Sequence, residues 1–328
     1  MVEPLAAVRG QDRAVSVLFR YLESGNVPPG LLFFGEEGIG KEKAALAFVA
    51  ALFCRSRGAG GACGTCPDCR LLSSGAHPNL LRVSPPPDKE SIPIQSVREL
   101  QEELALKAFS DRPRAALVVP ADRMTVQAAN ALLKTLEEPP SGTHVLLVAH
   151  RLSQLPPTIV SRCQKLPFSP LPLHEVEAIL LSGAAAGGKA TAEAVRAAAA
   201  CSGGSPGRAA AALDEDPGER ALWIRLLSGG DPAAVTRAAA SWKGAGPAAA
   251  RVAVPLSILR DLALLSSGAN AAIMNGDYGE ALAAAARRMT PVGWTRALRD
   301  LLAMSRMPPQ AQKPLMLEAF LFGLRGKD

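Results

Sequence analysis

A glycine-rich stretch near the N-terminus constrains the fold of this chain more than any other feature. An apolar run, residues 31–34, enters the loop Gly35-Glu-Glu-Gly-Ile-Gly-Lys41, and an alanine-rich helical pattern follows it. The loop matches G-x-x-x-x-G-K, in which glycines let backbone N–H groups surround phosphates and the lysine supplies a positive charge. The sequence therefore predicts the strand–loop–helix unit of a phosphate-binding loop, with candidate nucleotide-binding residues Gly35, Gly38, Gly40 and Lys41.

The residues that would support metal-dependent catalysis are substituted. Such a loop ends in Ser or Thr, whose hydroxyl binds Mg²⁺, but Glu42 stands there. A nucleoside triphosphatase also has an acidic pair after a buried strand; here Pro120 and Ala121 follow the apolar run 114–119. Asp122 is expected to cap the next helix. Three interpretations stay open: a nucleotide site with an unusual metal arrangement, a nucleotide-binding fold without catalysis, and a glycine turn without a ligand.

The composition is that of an ordinary globular protein. The length of 328 residues predicts two or three domains, and 48% hydrophobic with 20% charged residues is typical of globular proteins. The net charge of +6 is shared by both halves, without the basic block typical of a DNA-binding arm. The first residues lack a basic segment followed by an apolar one, and no apolar run reaches the ~20 residues of a membrane span. We therefore expect a cytoplasmic protein.

Four cysteines form a second motif. The last three are separated by two residues each, and glycines surround the group. This spacing predicts tetrahedral thiolate coordination, usually of Zn²⁺, and a reducing compartment disfavours disulfides. An iron–sulfur cluster and unliganded thiols are the alternatives. With four protein ligands one zinc ion per chain would have no open position, so we expect a structural metal on Cys54, Cys63, Cys66 and Cys69.

Periodicity predicts the main elements. Helices are expected at 5–26, 43–54 and 124–137, and residues 92–97 should lead into a further helix of about a dozen residues that ends near Phe109. Strands are expected at 31–34, 80–83, 114–119 and 144–149. After a boundary at 168–172 a small helical unit follows, with Ser205 as N-cap and Pro206 as the first helical residue. From about residue 213 we expect four or five helices, with Trp223, Trp242 and Trp294 in their core.

Two further motifs carry a resemblance to a known family. They are Asn130-Ala-Leu-Leu-Lys-Thr-Leu-Glu-Glu-Pro139 and Ile159-Val-Ser-Arg-Cys163. With the phosphate loop and the cysteine group, they closely resemble the AAA+ subunits of the bacterial clamp loader, specifically over residues 5–210. The resemblance implies an α/β AAA+ core with a RecA-like parallel sheet over residues 1–168, including a zinc module at 54–69. It also implies a helical lid at 169–212 and an all-α collar domain at 213–328.

The resemblance also implies a function. A clamp loader opens the sliding clamp and places it on primed DNA. Substitutions at Glu42, Pro120 and Ala121 resemble a subunit that does not hydrolyse ATP, so we expect a structural role, doubtful ATP binding, and gamma/tau and delta subunits as partners. An ATP-hydrolysing subunit of the gamma/tau type is the alternative. A zinc-containing nucleic-acid-binding module is a second rival, which the even charge disfavours.

In this family the arginine of Ser-Arg-Cys is an arginine finger that reaches the ATP site of the neighbouring subunit. The resemblance assigns that role to Arg162. A guanidinium can neutralise charge on the transferred phosphoryl group and can be supplied in trans. The alternative for Arg162 is an ordinary surface arginine after a strand. Arg208 matches an arginine that senses nucleotide in active relatives, and here we expect it to be structural. Cys163 is expected to be a buried small residue.

Overall fold

The computed structural model describes residues 3–87, 89–106, 113–182, 192–214, 217–228, 232–241, 253–269, 273–305 and 313–324. The chain divides into two compact units. The first extends to Ile179 and also includes Gly204–Gly207, and the second comprises Leu180–Gly203 and the residues from Arg208 onward. The finer division into core, lid and collar stays a prediction. Among the described residues, no helix is both long enough and apolar enough to cross a membrane.

A five-stranded parallel sheet forms the centre of the first unit, with the strand order β2-β3-β4-β1-β5. Because the strands are parallel, their carboxyl ends meet at one edge, and the loop after β1 emerges there beside the end of β4. The predicted strands are thereby confirmed, and β5 is an addition. The strands are β1 (Gly30–Phe34), β2 (Leu80–Val83), β3 (Arg114–Val118), β4 (Thr143–Ala149) and β5 (Gln164–Pro167).

Helices cover both faces of this sheet. Those between β2 and β5 pack on one face, against alternate strand residues such as Leu32, Val118 and Leu147. On the other face α2 contacts β1 and β4 and packs with α1 and α3. This arrangement confirms the predicted α/β core with a parallel sheet. The helices are α1 (Asp12–Ser24), α2 (Lys41–Phe53), α3 (Pro67–Ser73), α4 (Ile94–Ala105), α5 (Val126–Glu137) and α6 (Pro157–Arg162).

The first helix is shorter than the sequence predicts. A 3-10 turn, Leu5–Ala7, precedes it, and α1 begins only at Asp12. Gly10 interrupts the predicted helix because its φ is +67°, and a Cβ there would lie 2.6 Å from the Leu171 side chain. Helix α4 likewise stops at Ala105, so its predicted end near residue 109 is wrong.

After β5, every regular element in the described part of the chain is a helix, and most of these helices lie in the second unit. The chain continues with α7 (Leu173–Ser182), α8 (Ala192–Cys201), α9 (Pro206–Asp214), α10 (Pro217–Leu227), α11 (Pro232–Ser241), α12 (Ala253–Ser266), α13 (Gly279–Ala286), α14 (Pro291–Ser305) and α15 (Lys313–Gly323). The described residues from 217 onward form six helices, where the sequence predicts four or five. The missed break is Thr290-Pro291, where the Thr290 hydroxyl accepts a hydrogen bond from the Gly293 N–H at 3.2 Å.

The tryptophans of the second unit behave as predicted where they are described. Trp223 and Trp294 are buried in the helical core. The indole N–H of Trp294 donates to the Ala286 carbonyl at 3.1 Å, which satisfies its only polar atom inside an apolar cluster. Trp242 lies outside the described residues.

Candidate functional site

The predicted phosphate loop forms as a left-handed turn that leads into a buried helix. Gly38 and Gly40 have φ angles of +75° and +92°, which residues with side chains rarely adopt. Helix α2 begins immediately at Lys41, so its first backbone N–H groups face the loop. A cavity of about 600 Å³ lies in front of the loop. The predicted residues Gly38, Gly40 and Lys41 line that cavity.

The lysine of the loop is held by the loop itself. Its ammonium group donates to the carbonyl oxygen of Gly35 at 2.7 Å and to that of Glu36. It also lies 3.2 Å from Nδ1 of His150, which follows β4. The residue is only 3% exposed, so Lys41 braces the turn in this state and would have to exchange these partners to contact a phosphate.

Burial also changes the charge of this pair. It lowers the pKa of Lys41 to about 8, against the opposing effect of the Asp122, Glu37 and Glu36 carboxylates. Burial and the adjacent Lys41 lower the pKa of His150, so its neutral ring can accept a hydrogen bond from the lysine ammonium group. The positive charge of Lys41 is therefore partly lost near pH 8, well below the pH at which an exposed lysine titrates.

Glu42 occupies the position where a phosphate loop usually has its magnesium-binding Ser or Thr, and it forms an ion pair with an arginine. Its carboxylate pairs with the guanidinium of Arg82, on β2, at 2.7 Å. Both side chains are about half exposed and both line the cavity. A Ser or Thr hydroxyl at this position could bind a metal ion. Here the Glu42 carboxylate is already paired with the positive charge of Arg82.

The end of β3 offers no acidic pair. Pro120 lines the cavity, and Ala121 is fully buried. The prediction that Asp122 caps the next helix is wrong, because its carboxylate accepts a hydrogen bond from the backbone N–H of His150 at 2.9 Å. Thr125 caps α5 instead, accepting from the Ala128 N–H at 3.2 Å. Asp122 thus links the ends of β3 and β4.

A distant turn holds the phosphate loop from behind. The hydroxyl of Ser205, fully buried, donates to the carbonyl of Glu37 at 2.8 Å. The N–H of Gly207 donates to the carbonyl of Gly38 at 2.9 Å. These bonds join segments about 168 residues apart and satisfy two loop carbonyls. As predicted, α9 begins at Pro206, immediately after Ser205.

Gly207→Ala should destabilise the first unit, because the new Cβ would lie 2.8 Å from Gly38 Cα and 3.1 Å from its carbonyl oxygen. Overpacking of this kind costs about 1–3 kcal/mol of unfolding free energy. Gly279→Ala is the control: this glycine also lies near a helix start and has no atom within 4 Å of a new Cβ. Urea unfolding of both variants measures the difference, and equal midpoints would contradict this interpretation of the contact.

The four predicted cysteines lie together. Their sulfur atoms are all within 4.8 Å of one another, with 3.9 Å between Cys54 and Cys66 and 4.0 Å between Cys63 and Cys69. A tetrahedral ion with Zn–S bonds of about 2.3 Å separates its ligands by about 3.8 Å. The cluster is therefore compatible with a zinc site.

Hydrogen bonds to the sulfur atoms stabilise the thiolate form of part of this cluster. The N–H groups of Cys63 and Cys66 donate to the sulfurs of Cys54 and Cys63, each at 3.3 Å. Hydrogen bonds from the backbone of Thr65 and Cys66 lower the pKa of Cys63 to about 6, while burial raises the pKa of Cys69 to about 12. Within the segment, Asp68 accepts a hydrogen bond from Arg55 Nε at 2.7 Å, which joins its two ends.

Arg162 ends α6, one residue before Cys163 and just before β5. Its guanidinium donates to the Thr158 carbonyl at 3.0 Å and pairs with Glu137 at 2.5 Å. The side chain is 38% exposed, so a partner could reach it. Cys163 is buried, as predicted. The alternative of a surface arginine directly after a strand is wrong in its placement, since Arg162 belongs to a helix.

Sequence reasoning missed three residues of these sites, His150, Arg82 and Glu137, and it predicted Ser205 only as a helix cap. His150 was detectable in principle, since it follows a buried strand at the edge where the loop emerges. The contacts of Arg82, Ser205 and Glu137 carried no local signal, because their partners Glu42, Glu37 and Arg162 come from distant segments.

Fold and site together define an α/β phosphate-loop domain that carries a four-cysteine cluster. Residues 10–172 match the family described as "DNA polymerase III, delta subunit". The chain is 38% identical to DNA polymerase III subunit delta-prime of Bacillus subtilis over 51% of its length and 50% of that protein. It is 41% identical to the Pseudomonas aeruginosa subunit delta-prime over 53% and 52%. Subunit tau of Escherichia coli is 29% identical over 54% of this chain and 28% of that protein.

Residues 10–172 therefore match this DNA polymerase III family, and the resemblance predicted from the sequence is confirmed as a resemblance to delta-prime subunits. The chain spans about half the length of the curated delta-prime relatives that it matches. The cysteine cluster and the motif ending at Cys163 lie inside the matched region.

Proposed function

We propose that this chain is the delta-prime-like subunit of a bacterial clamp loader, which opens the sliding clamp and places it on primed DNA. The observation that carries the proposal is the match of residues 10–172 to the delta subunit family, with 38–41% identity to two delta-prime subunits. The partners would be gamma/tau and delta subunits, the sliding clamp and, through the complex, primed DNA. The first unit would be its AAA+ core, and the helices after residue 213 its collar domain.

In this proposal the chain hydrolyses no ATP. Phosphoryl transfer depends on a bound metal and on a residue that orients the attacking water. Glu42 pairs with Arg82 where the metal ligand would stand, and Pro120 and Ala121 end β3 without a carboxylate. Lys41 and the glycines survive, so passive nucleotide binding is compatible with the cavity, although Lys41 would first have to release its own loop carbonyls.

Two residue groups would carry the remaining functions. Arg162 would act as an arginine finger in the ATP site of a neighbouring subunit, supported by its exposure at the end of α6. The four cysteines would hold one structural zinc ion, supported by sulfur separations near those of a tetrahedral site. With every ligand position taken by the protein, zinc would fix residues 54–69 and take no part in catalysis.

The purified chain should show no ATP turnover. Working enzymes typically turn over at about 1–10³ s⁻¹. Glu42→Ser, which restores only the metal ligand, should also be inactive because Pro120 and Ala121 remain. Lys41→Ala identifies contaminating activity, since a contaminant would persist in this variant. Turnover near ~1 s⁻¹ that disappears in Lys41→Ala would instead support the gamma/tau-like alternative.

A further inference from the structure

The guanidinium of Arg162 is held from two sides within its own chain. Glu137, the last residue of α5, pairs with Nη2 at 2.5 Å, and the Thr158 carbonyl accepts from Nη1 at 3.0 Å. A guanidinium carries five N–H groups in one plane. Two contacts fix the plane of the group while leaving three N–H groups for an incoming anion.

The position of Glu137 is unfavourable for its own helix. A carboxylate at a helix C-terminus faces the negative end of the helix dipole, whereas an arginine there is favourable. Glu137 ends α5, and Arg162 ends α6. Helix stability therefore does not explain the acid at this position. The ion pair with Arg162 offsets the unfavourable placement and gives the acid a role.

The backbone beneath the pair is packed tightly. A Cβ on Gly30, at the start of β1, would lie 3.1 Å from the Arg162 carbonyl and 3.2 Å from both Cys163 Sγ and Leu136 Cδ2. Ile159 and Leu136 are buried in the core beside it. The ends of α5 and α6 therefore meet on a close-packed base, and the main freedom left to Arg162 is that of its long side chain.

We propose that Glu137 is a positioning residue for Arg162: it holds the guanidinium in one place at the end of α6 before the neighbouring subunit's phosphates arrive. The inference rests on the proposed role of Arg162 in trans. Pre-ordering a catalytic group removes the cost of ordering it at the moment of reaction. Because both side chains are partly exposed, the hold is weak, and the gain in turnover is about two- to fivefold.

The test uses the assembled clamp-loader complex. The rate lost on Arg162→Ala defines the Arg162-dependent ATP turnover, and each variant is expressed as a fraction of it. Glu137→Ala should lower the kcat of that fraction about two- to fivefold, with KM little changed. Glu137→Gln should recover most of it, since the amide oxygen can accept the same hydrogen bond. Glu138→Ala, which changes the adjacent exposed glutamate, is the matched control and should match wild type.

A double variant separates positioning from a merely structural role. Glu137→Ala should add no loss to a complex that already carries Arg162→Ala, because a positioning residue acts only through the group it positions. Gel filtration and thermal unfolding check assembly and folding. If Arg162→Ala silences a site but Glu137→Ala is wild type, or if the two losses add, positioning by Glu137 is wrong while the in-trans arginine stands. If Arg162→Ala has no effect, both ideas fail.

Discussion

Arg162→Ala is expected to silence ATP hydrolysis at one site of a reconstituted clamp loader. An arginine finger contributes about 10³–10⁵ in rate at its own site. The other sites of the complex would use arginines from other subunits, so total ATPase should fall only in part, and clamp loading should fall further. Folding should persist, because the side chain is 38% exposed and its contacts are one ion pair and one carbonyl.

Arg162→Lys should rescue little of this loss, since a point charge cannot replace the planar fork of the guanidinium. Arg98→Ala is the control, because it removes an exposed arginine on α4, a helix that ends far along the chain from the Ser-Arg-Cys motif. ATPase and clamp-loading rates of each complex are measured after gel filtration. Wild-type rates in a fully assembled Arg162→Ala complex would show an ordinary surface arginine.

Removal of the metal should have the second large effect. Protein purified without added metal should contain one zinc ion, and Cys69→Ser should lose it, because Cys69 is the buried member of the cluster. Structural zinc contributes about 10–16 kcal/mol to small zinc-dependent folds. Hydrogen exchange should then increase in residues 54–70 and change little in the sheet, which has a separate apolar core.

Cys163→Ala is the control for the metal measurement, since this cysteine is buried outside the cluster and should leave one zinc ion per chain. Elemental analysis distinguishes the outcomes. Iron with visible absorbance would indicate the cluster alternative, and protein without any metal would indicate unliganded thiols.

The sequence predicted those features that local patterns encode. The loop after β1 and the cysteine group are short motifs in which each residue type has a chemical role. The structure forms the loop as predicted and places the four cysteines in one cluster. The helix expected at 5–26 failed because Gly10 adopts a positive φ to pack against Leu171, a contact 161 residues away that no local pattern shows. Such long-range contacts override helical periodicity.

The contacts around the phosphate loop that the sequence did not predict share one physical cause. Ser205 and Gly207 support the phosphate loop from a turn far along the chain, and Asp122 bonds to the residue after β4 instead of capping α5. In each case a polar group finds a partner that only the folded sheet brings near. The sequence shows which polar groups need hydrogen-bond partners, but the partners themselves come from distant segments that only the fold brings together.

The most direct test of the central claim is assembly. The purified chain is mixed with gamma/tau and delta subunits of the same organism, and the mixture is analysed by gel filtration and by ATP-dependent loading of the sliding clamp on primed DNA. We predict one complex that contains all three kinds of subunit and loads the clamp, whereas the mixture without this chain does not load it. A chain that elutes alone, or loading that is equally fast without it, would contradict the account.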